Sequence, residues 1–456
     1  MTGFELRCKQ RYPGFIMRTL RRLLGVALLL AACLPAQDAV RSLTILHTND
    51  LHARLLPDDQ GRGGFAALAA GIRRERTGCN DCLLLNAGDL VQGTPVSTLF
   101  HGLPVYEIAN LFGYDAATLG NHEFDYGWEQ VARFVHTARY PVVTANVVDQ
   151  DGHLLTAAPY VVLKANGVRV GVIGELLGDM IQYTTPDKMG PWHALPVVET
   201  VRKYADELRG QADLIVVLGH INDSEATQIL HEAPAVSVVV SGHDHTGLRT
   251  PEEYQGRINV RANGYGRDFG RLDLEVNVPE HKMVSWKWRT IPVEAKNITP
   301  AEDVAALVEQ WEAKVSTIVD VPVGEARHTI AGPELKRLIE RAMIEETGAD
   351  FAFMNQGGVR DRLPEGRLLA RHIWNVMPFD NLVVVGRFPG SKLPAVVLAG
   401  RTVDPQREYT LAVTDFTAAS QSASGQLGTT GLAFPQTGPL LRDLLIEWVK
   451  KKKVLE

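Results

Sequence analysis

Five short apolar runs within the first 245 residues end alike, in Gly or Asn followed by a residue that can bind a metal. Leu43-Thr44-Ile45-Leu46 leads to Asn49-Asp50-Leu51-His52, and Leu83-Leu84-Leu85 leads to Asn86-Ala87-Gly88-Asp89. Ala116-Ala117-Thr118-Leu119 leads to Gly120-Asn121-His122-Glu123-Phe124-Asp125. Leu214–Leu218 leads to Gly219-His220, and Val238-Val239-Val240 leads to Ser241-Gly242-His243-Asp244-His245. Short apolar runs alternating with helical segments are the pattern of an α/β domain. In such domains functional groups gather beyond the carboxyl ends of the strands, where loops converge. A glycine there lets the backbone turn sharply and approach closely. One such ending is ordinary loop sequence, but five together form a constellation.

The residues supplied are Asp50, His52, Asp89, Asn121, His220, His243 and His245. Asp50 and His52, spaced two apart, are expected on one side of an extended segment, because side chains alternate along it. A mixed oxygen and imidazole set suits zinc, manganese, iron or cobalt better than calcium, which takes oxygens alone. The set exceeds what one tetrahedral ion needs, whereas two divalent ions sharing a bridging carboxylate would use all of it. Two ions about 3.5–4 Å apart are the usual apparatus for in-line displacement at phosphorus. They acidify a shared water and neutralise the phosphoryl oxygens.

At 456 residues the chain is too long for one ordinary core, so two or three domains are expected. A formal net charge of −6 argues against a surface for nucleic acid polymers, while leaving room for a small anion held by local cations. From Met17 the sequence reads Arg18, Arg21, Arg22 and then the apolar run Leu23–Ala32, a targeting segment too short to span a bilayer. We therefore expect export to the periplasm or cell envelope. Leu30-Ala31-Ala32-Cys33 resembles a lipobox, in which a lipidated Cys33 would tether the mature chain to a membrane; the alternative is ordinary secretory cleavage near Ala36. Residues 1–16 fit neither pattern, and Met17 is an alternative start. Of the remaining cysteines, Cys79 and Cys82 lack a second pair for a four-thiolate zinc site and read as a structural loop disulfide.

Further along, Tyr160–Leu163 and Val168–Ile173 flank Asn166-Gly167, a hairpin signal. Leu272, Leu274 and Val276 alternate with Asp273 and Glu275, as in a half-exposed strand. Thr299-Pro300-Ala301-Glu302 reads as a helix start with Thr299 as N-cap, opening a linker helix over 299–318. A further helix is expected over Glu334–Thr347. The organisation expected is a targeting segment over 1–36, a metal-binding domain over 43–295, a linker helix over 296–320 and a second domain over 321–449.

The five endings, with Gly93-Thr94-Pro95 after Asp89, resemble in order and spacing the five blocks of the calcineurin-like metallophosphatases. They look most like the secreted 5′-nucleotidase/UDP-sugar hydrolase branch. The resemblance implies a four-layer α/β/β/α sandwich followed by a smaller α/β substrate-binding domain. It implies one ion held by Asp50, His52, Asp89 and His245, and another by Asp89, Asn121, His220 and His243, with Asp89 bridging. Many nucleotidases carry Gln at the position of His245, although other metallophosphatases carry His there. His122 is not a ligand in this scheme. It assists the leaving-group oxygen, oriented by Asp125, because an alkoxide leaves poorly without a proton or positive charge. Glu123 is left with a structural role.

The second half resembles the family's substrate domain. Asn355-Gln356-Gly357-Gly358-Val359-Arg360 is close to the family's Asn-Gly-Gly-Gly-Ile-Arg, which implies substrate contacts by Asn355, Gly358 and Arg360. The fork of Arg360 suits phosphate or carboxylate. Pro378-Phe379-Asp380-Asn381 and Asp415-Phe416 match blocks whose aromatics clamp a base, with Asn381 nearby. The family's Gly-Gly-Asp-Gly-Phe block is missing after Phe416, replaced by the Ser-, Gly- and Thr-rich stretch Ser420–Thr430. The usual second phosphate-side Arg is eroded as well, since neither Arg327 nor Arg337 aligns. The reading is an exported two-ion phosphoesterase acting on nucleotides. The alternatives are the same centre acting on cyclic nucleotides, nucleotide sugars or a sulfate thioester, and a non-catalytic nucleoside-binding lipoprotein.

Overall fold

A computed structural model describes residues 39–79, 81–420, 425–428 and 432–456. The targeting segment with Cys33, and residues 421–424 and 429–430 of the replaced stretch, lie outside the described residues. Arg41–Glu456 folds as one compact unit.

Strands β1 (Val40–Thr48), β2 (Leu83–Asn86) and β3 (Ala116–Ala117) run parallel in a five-stranded sheet, extended by Asp268–Asn277 and Lys282–Pro292. Strands β4 (Leu214–His220) and β5 (Val238–Ser241) run parallel at the centre of a six-stranded sheet. Period-two alternation makes the layers. Leu43, Ile45, Val216, Leu218 and Val240 fill the space between the two sheets. Their neighbours face outward: Leu46 packs with the helix Phe65–Thr77, and Val217 and Val239 pack with the helices Val197–Glu207 and Asp223–Glu232. Helix, sheet, sheet and helix therefore stack as four layers. Each fully buried Val or Leu contributes roughly 1.5–3 kcal/mol. Aliphatic packing thus presses the sheets together, and the polar strand ends are free for other work.

The hairpin forms as expected, with Asn166 and Gly167 both left-handed (φ 47° and 79°), as a two-residue turn of this kind requires. Asp268–Asn277 is the half-buried strand expected there. Cys79 and Cys82 are disulfide-bonded. The helix after the first sheets is Glu302–Val319, which buries Val304, Val308, Val315 and Val319 against the first core. Its start corrects the sequence reading. Thr299 is not the N-cap; Ala301 is, with extended backbone and no side-chain cap. Pro300 disfavours helical backbone at Thr299, and Ala301 N–H donates to Ala66 O, keeping the chain extended until Glu302.

Beyond it, Phe351–Ala352, Leu382–Pro389, Glu408–Thr414 and Gln436–Leu440 form a four-stranded sheet. The helices Gly332–Thr347 and Leu441–Lys452 pack on it through Leu338, Ile339, Leu445 and Val449. Among the described residues, no helix is long and apolar enough to cross a membrane.

Candidate active site

The ends of β1, β2 and β3 meet those of β4 and β5 at one place. Oxygen atoms of Asp50 and Asp89 and ring nitrogens of His52 and His245 all lie within 4.8 Å of one another. Asp89 Oδ2 also lies 3.2 Å from His220 Nε2, and Asn121 Oδ1 is 3.1 Å from both His220 Nε2 and His243 Nδ1. All seven strand-end residues are therefore drawn together. The route taken by Asp50 and His52 differs from the one expected. Asp50, His52 and Ala53 are all left-handed (φ 51°, 47° and 52°), so a tight turn aims the two side chains, and extended alternation does not. Asp50 N–H and His52 N–H donate to Gly88 O and Asp89 O, which locks that turn onto the β2 loop.

Glycine is required where these loops cross. A Cβ on Gly120 would lie 2.1 Å from Asp89 Oδ1, and one on Gly88 would lie 2.7 Å from Gly120 N. Glu123, to which the sequence reading gave only a structural role, ties the crossing together. Its buried carboxylate accepts from Asp89 N–H, Leu90 N–H and Gly120 N–H. It thus positions the shared carboxylate and the Asn121–His122 turn at once. No sequence motif marks this, because its partners are backbone groups.

Electrostatics put most of the imidazoles in the ligand form. Burial pushes His243 down to about 3 and His245 down to about 2, with the positive charges of His220 and Arg360 respectively adding to it. Burial, with His245 adding to it, likewise holds His52 well below the usual histidine value. Burial works against the charge on Asp89, but His220 and His122 hold its pKa well below the ordinary carboxylate range. Burial also opposes charge on His220, yet Asp89 carries it up to about 10. With no ion present, the Asp89 carboxylate thus favours positive charge at His220, in the place where a bound cation would supply it.

The residues fit a pair of divalent ions. Asp89 Oδ2 is buried, and it is faced by His220 Nε2 at 3.2 Å and His52 Nε2 at 3.6 Å, two ring nitrogens that could each share an ion with it. His52 Nδ1–H is directed at Gln92 O, leaving a lone pair on His52 Nε2 only 2.8 Å from His245 Nε2. His220 Nδ1–H donates to Ala87 O, which likewise fixes the tautomer.

Beside the cluster, His122 Nδ1–H donates to Asp125 Oδ2 at 2.8 Å, and His122 N–H donates to Asp89 Oδ1. Burial opposes charge on this ring, but Asp125 and Asp89 outweigh it and its pKa is raised. A cavity of about 750 Å³ opens here. It is bordered by Asp89, Asn121, His122, Asp125, His243 and His245 on one side, and by Asn355, Gly358, Arg360, Phe379, Asn381 and Phe416 on the other. Asp50, His52 and His220 lie fully buried behind this wall. An Arg360 guanidinium nitrogen stands 3.5 Å from His52 Nε2, and the Phe379 ring centroid is 5.8 Å from that of His122. Sequence reasoning missed the segment Gln182–Lys188, which runs from one short helical turn into another, borders the same cavity and sets Tyr183 edge-on to His243. It has no motif and no ligand type that would draw attention.

Residues 43–247 match the calcineurin-like phosphoesterase family, and residues 316–399 match the 5′-nucleotidase C-terminal domain. The fold, the ligand cluster and these matches define a metal-dependent phosphoesterase. The chain thus joins a calcineurin-like phosphoesterase domain to a 5′-nucleotidase C-terminal domain. It is 26% identical to protein UshA of Yersinia enterocolitica over 92% of this chain and 93% of that one. In fold it is similar to a 5′-nucleotidase precursor from Thermus thermophilus (TM-score 0.82, 24% identity, 91% of this chain and 97% of that one). It is similar to the sulfate thiohydrolase SoxB of Thermus thermophilus to nearly the same degree (TM-score 0.79, 18% identity, 91% of this chain and 94% of that one). The fold by itself therefore does not select a substrate.

Proposed function

We propose that the protein hydrolyses the phosphoester of a nucleotide at a two-ion centre, with residues 43–295 carrying the ions and 321–449 the groups that grip the substrate. One observation carries the reading: a single cavity is bordered by the ligand cluster, by the His122–Asp125 pair and by Arg360 with two aromatic rings. In this reading Asp50, His52, Asp89 and His245 hold one ion, Asp89, Asn121, His220 and His243 hold the other, and Asp89 is shared. Bound there, the ions neutralise the phosphoryl oxygens and acidify the attacking water. The protein's own groups do the rest. Arg360 offers a planar fork to an oxyanion, Phe379 and Phe416 flank the base, and Asn355, Gly358 and Asn381 line the path between. Water attacks phosphorus opposite the ester oxygen, the P–O bond to that oxygen breaks, and His122 Nε2–H protonates it. The segment Met17–Cys33 supports export, and a lipidated Cys33 would tether the mature chain.

The test is a substrate panel with the metal-stripped, Mn²⁺-loaded and Zn²⁺-loaded chain. We expect 5′-nucleotides to be cleaved only by the loaded forms, and turnover to vanish on chelation. Because the Gly-Gly-Asp-Gly-Phe block is missing, the panel also includes cyclic nucleotides, nucleotide sugars and a sulfate thioester. Turnover of one of these with 5′-nucleotides left intact would reassign the substrate. A loaded chain inert to all of them, yet still binding nucleosides, would make the pocket a binding site.

Asp125→Asn tests the proton donor. With its pKa raised, His122 stays protonated to a higher pH than free histidine, so turnover should fall as pH rises through that raised value. Removing the Asp125 charge lowers the pKa, and the basic limb of the profile should move to lower pH. Bound cations depress both profiles together, so the difference between the two proteins is the readout. Superimposable basic limbs would remove His122 from the donor role.

A further inference from the structure

We infer that Tyr265 is a positioning residue for one ion only, through its hold on His245. The inference rests on the two-ion reading above. The Tyr265 hydroxyl is 3.1 Å from His245 Nδ1, and its ring centroid lies 5.2 Å from that of His245 and 5.4 Å from that of His52. Its backbone N–H donates to Asp50 O at 2.6 Å. One residue thus touches three of the four members of the first group, through hydroxyl, ring and backbone. Asn121, His220 and His243, the residues of the second group outside the shared Asp89, make none of these contacts with it.

The outer partners of the imidazoles explain why Tyr265 matters where others do not. A ligating Nε2 needs the ring proton on Nδ1, and that proton needs an acceptor. For His52 and His220 the acceptors are the backbone carbonyls of Gln92 and Ala87, which no substitution removes. His243 Nδ1 faces Asn121, itself a member of the cluster. For His245 it is a side-chain hydroxyl twenty residues further along the chain. His245 is therefore the imidazole of the cluster whose orientation hangs on a separate, replaceable side chain.

The structure holds Tyr265 firmly in this pose. It sits in left-handed backbone (φ 67°), a conformation that a bulky residue adopts only when its surroundings impose it. The guanidinium carbons of Arg54 and Arg267 lie 5.3 and 5.1 Å from its ring centroid. Arg54 is anchored in turn on Asp361, and Arg267 pairs with Asp58. Just before it, a Cβ on Gly264 would come within 3.2 Å of His245 Cβ and 3.3 Å of Asp50 Cβ. The turn is therefore pressed directly against two ligands. Cations placed near an aromatic ring fix its tilt, and the tilt aims the hydroxyl.

The experiment is Mn²⁺ titration of the metal-stripped full chain by calorimetry, with electron paramagnetic resonance reporting whether the ions are adjacent. Tyr265→Phe keeps the ring between the arginines and removes only the oxygen. We expect the wild type to bind two adjacent ions. The variant should bind one as the wild type does and the other about 10–100-fold more weakly, the usual effect of losing an outer partner. In a His245→Gln background, Tyr265→Phe should add less than about a twofold further loss, because non-additivity is the mark of residues acting through each other. Matching thermal midpoints of the metal-free forms separate this from misfolding. Two ions bound with unchanged affinities, equal weakening at both sites, or a full loss persisting in the His245→Gln background would each overturn the inference. A wild type that takes up no metal would overturn the two-ion reading and this inference with it.

Discussion

Substituting His122 with alanine is expected to cut kcat by about 10²–10⁴-fold while leaving both ions bound, since that is the usual contribution of a placed acid or base. The backbone N–H of His122 donates to Asp89 Oδ1, and this bond survives in the variant. What disappears is the ring between Asp125 and the cavity. The loss should therefore depend on the leaving group. An ester of ribose leaves as an alkoxide and needs the proton, whereas a nitrophenyl ester leaves as a stable anion and does not. We expect the penalty to shrink sharply on the second substrate, read as kcat at saturating Mn²⁺ with metal content measured in parallel. Asn121→Ala supplies the contrast, because its Oδ1 faces His220 and His243 and its loss should weaken metal binding. If both variants shed metal equally, the loop is wrongly divided.

Asp89→Asn is expected to be the most damaging single change, releasing both ions together. Its carboxylate stands against His52 at 3.6 Å and His220 at 3.2 Å, so it belongs to both halves of the cluster. Activity should fall at least as far as in His122→Ala, but with the metal gone. The stability readout is independent of turnover. Ligand held 100-fold above its Kd stabilises a protein by roughly 2.7 kcal/mol, so the wild type should gain thermal midpoint on adding Mn²⁺ and the variant should not. A variant that retains one tightly bound ion would show that Asp89 is not shared.

The residues of the cluster could be read from the chain because strand endings are local. Gly88-Asp89, Gly219-His220 and Gly242-His243 each announce a turn and a donor within two residues. Parallel pairing of β1 with β2 and β4 with β5 then carries them to the same end of their sheets. The spacing of Asp50 and His52 pointed to two residues that the structure does bring into one cluster, but by another route, since alternation was assumed where the backbone turns left-handed. The start of the linker helix was misread because the bond from Ala301 to Ala66 joins segments more than two hundred residues apart. Glu123 and Tyr265 stayed hidden for the same kind of reason. One acts on backbone amides of another loop, and the other on a histidine twenty positions away. Contacts made by the fold leave no local signature.

The donors are divided between the two sheets. Asp50, His52, Asp89 and Asn121 follow strands of the first, whereas His220, His243 and His245 end or follow strands of the second. Each ion in the proposed scheme therefore draws on both sheets, and neither sheet alone offers a complete coordination shell. Ions held in this scheme would be rivets through a laminate whose glue is the aliphatic layer between the sheets. They would be seated only after that layer had closed. Once seated, they would oppose any motion that peels the sheets apart at their active end. Metal uptake would then report on finished packing of the sandwich as well as on readiness for catalysis.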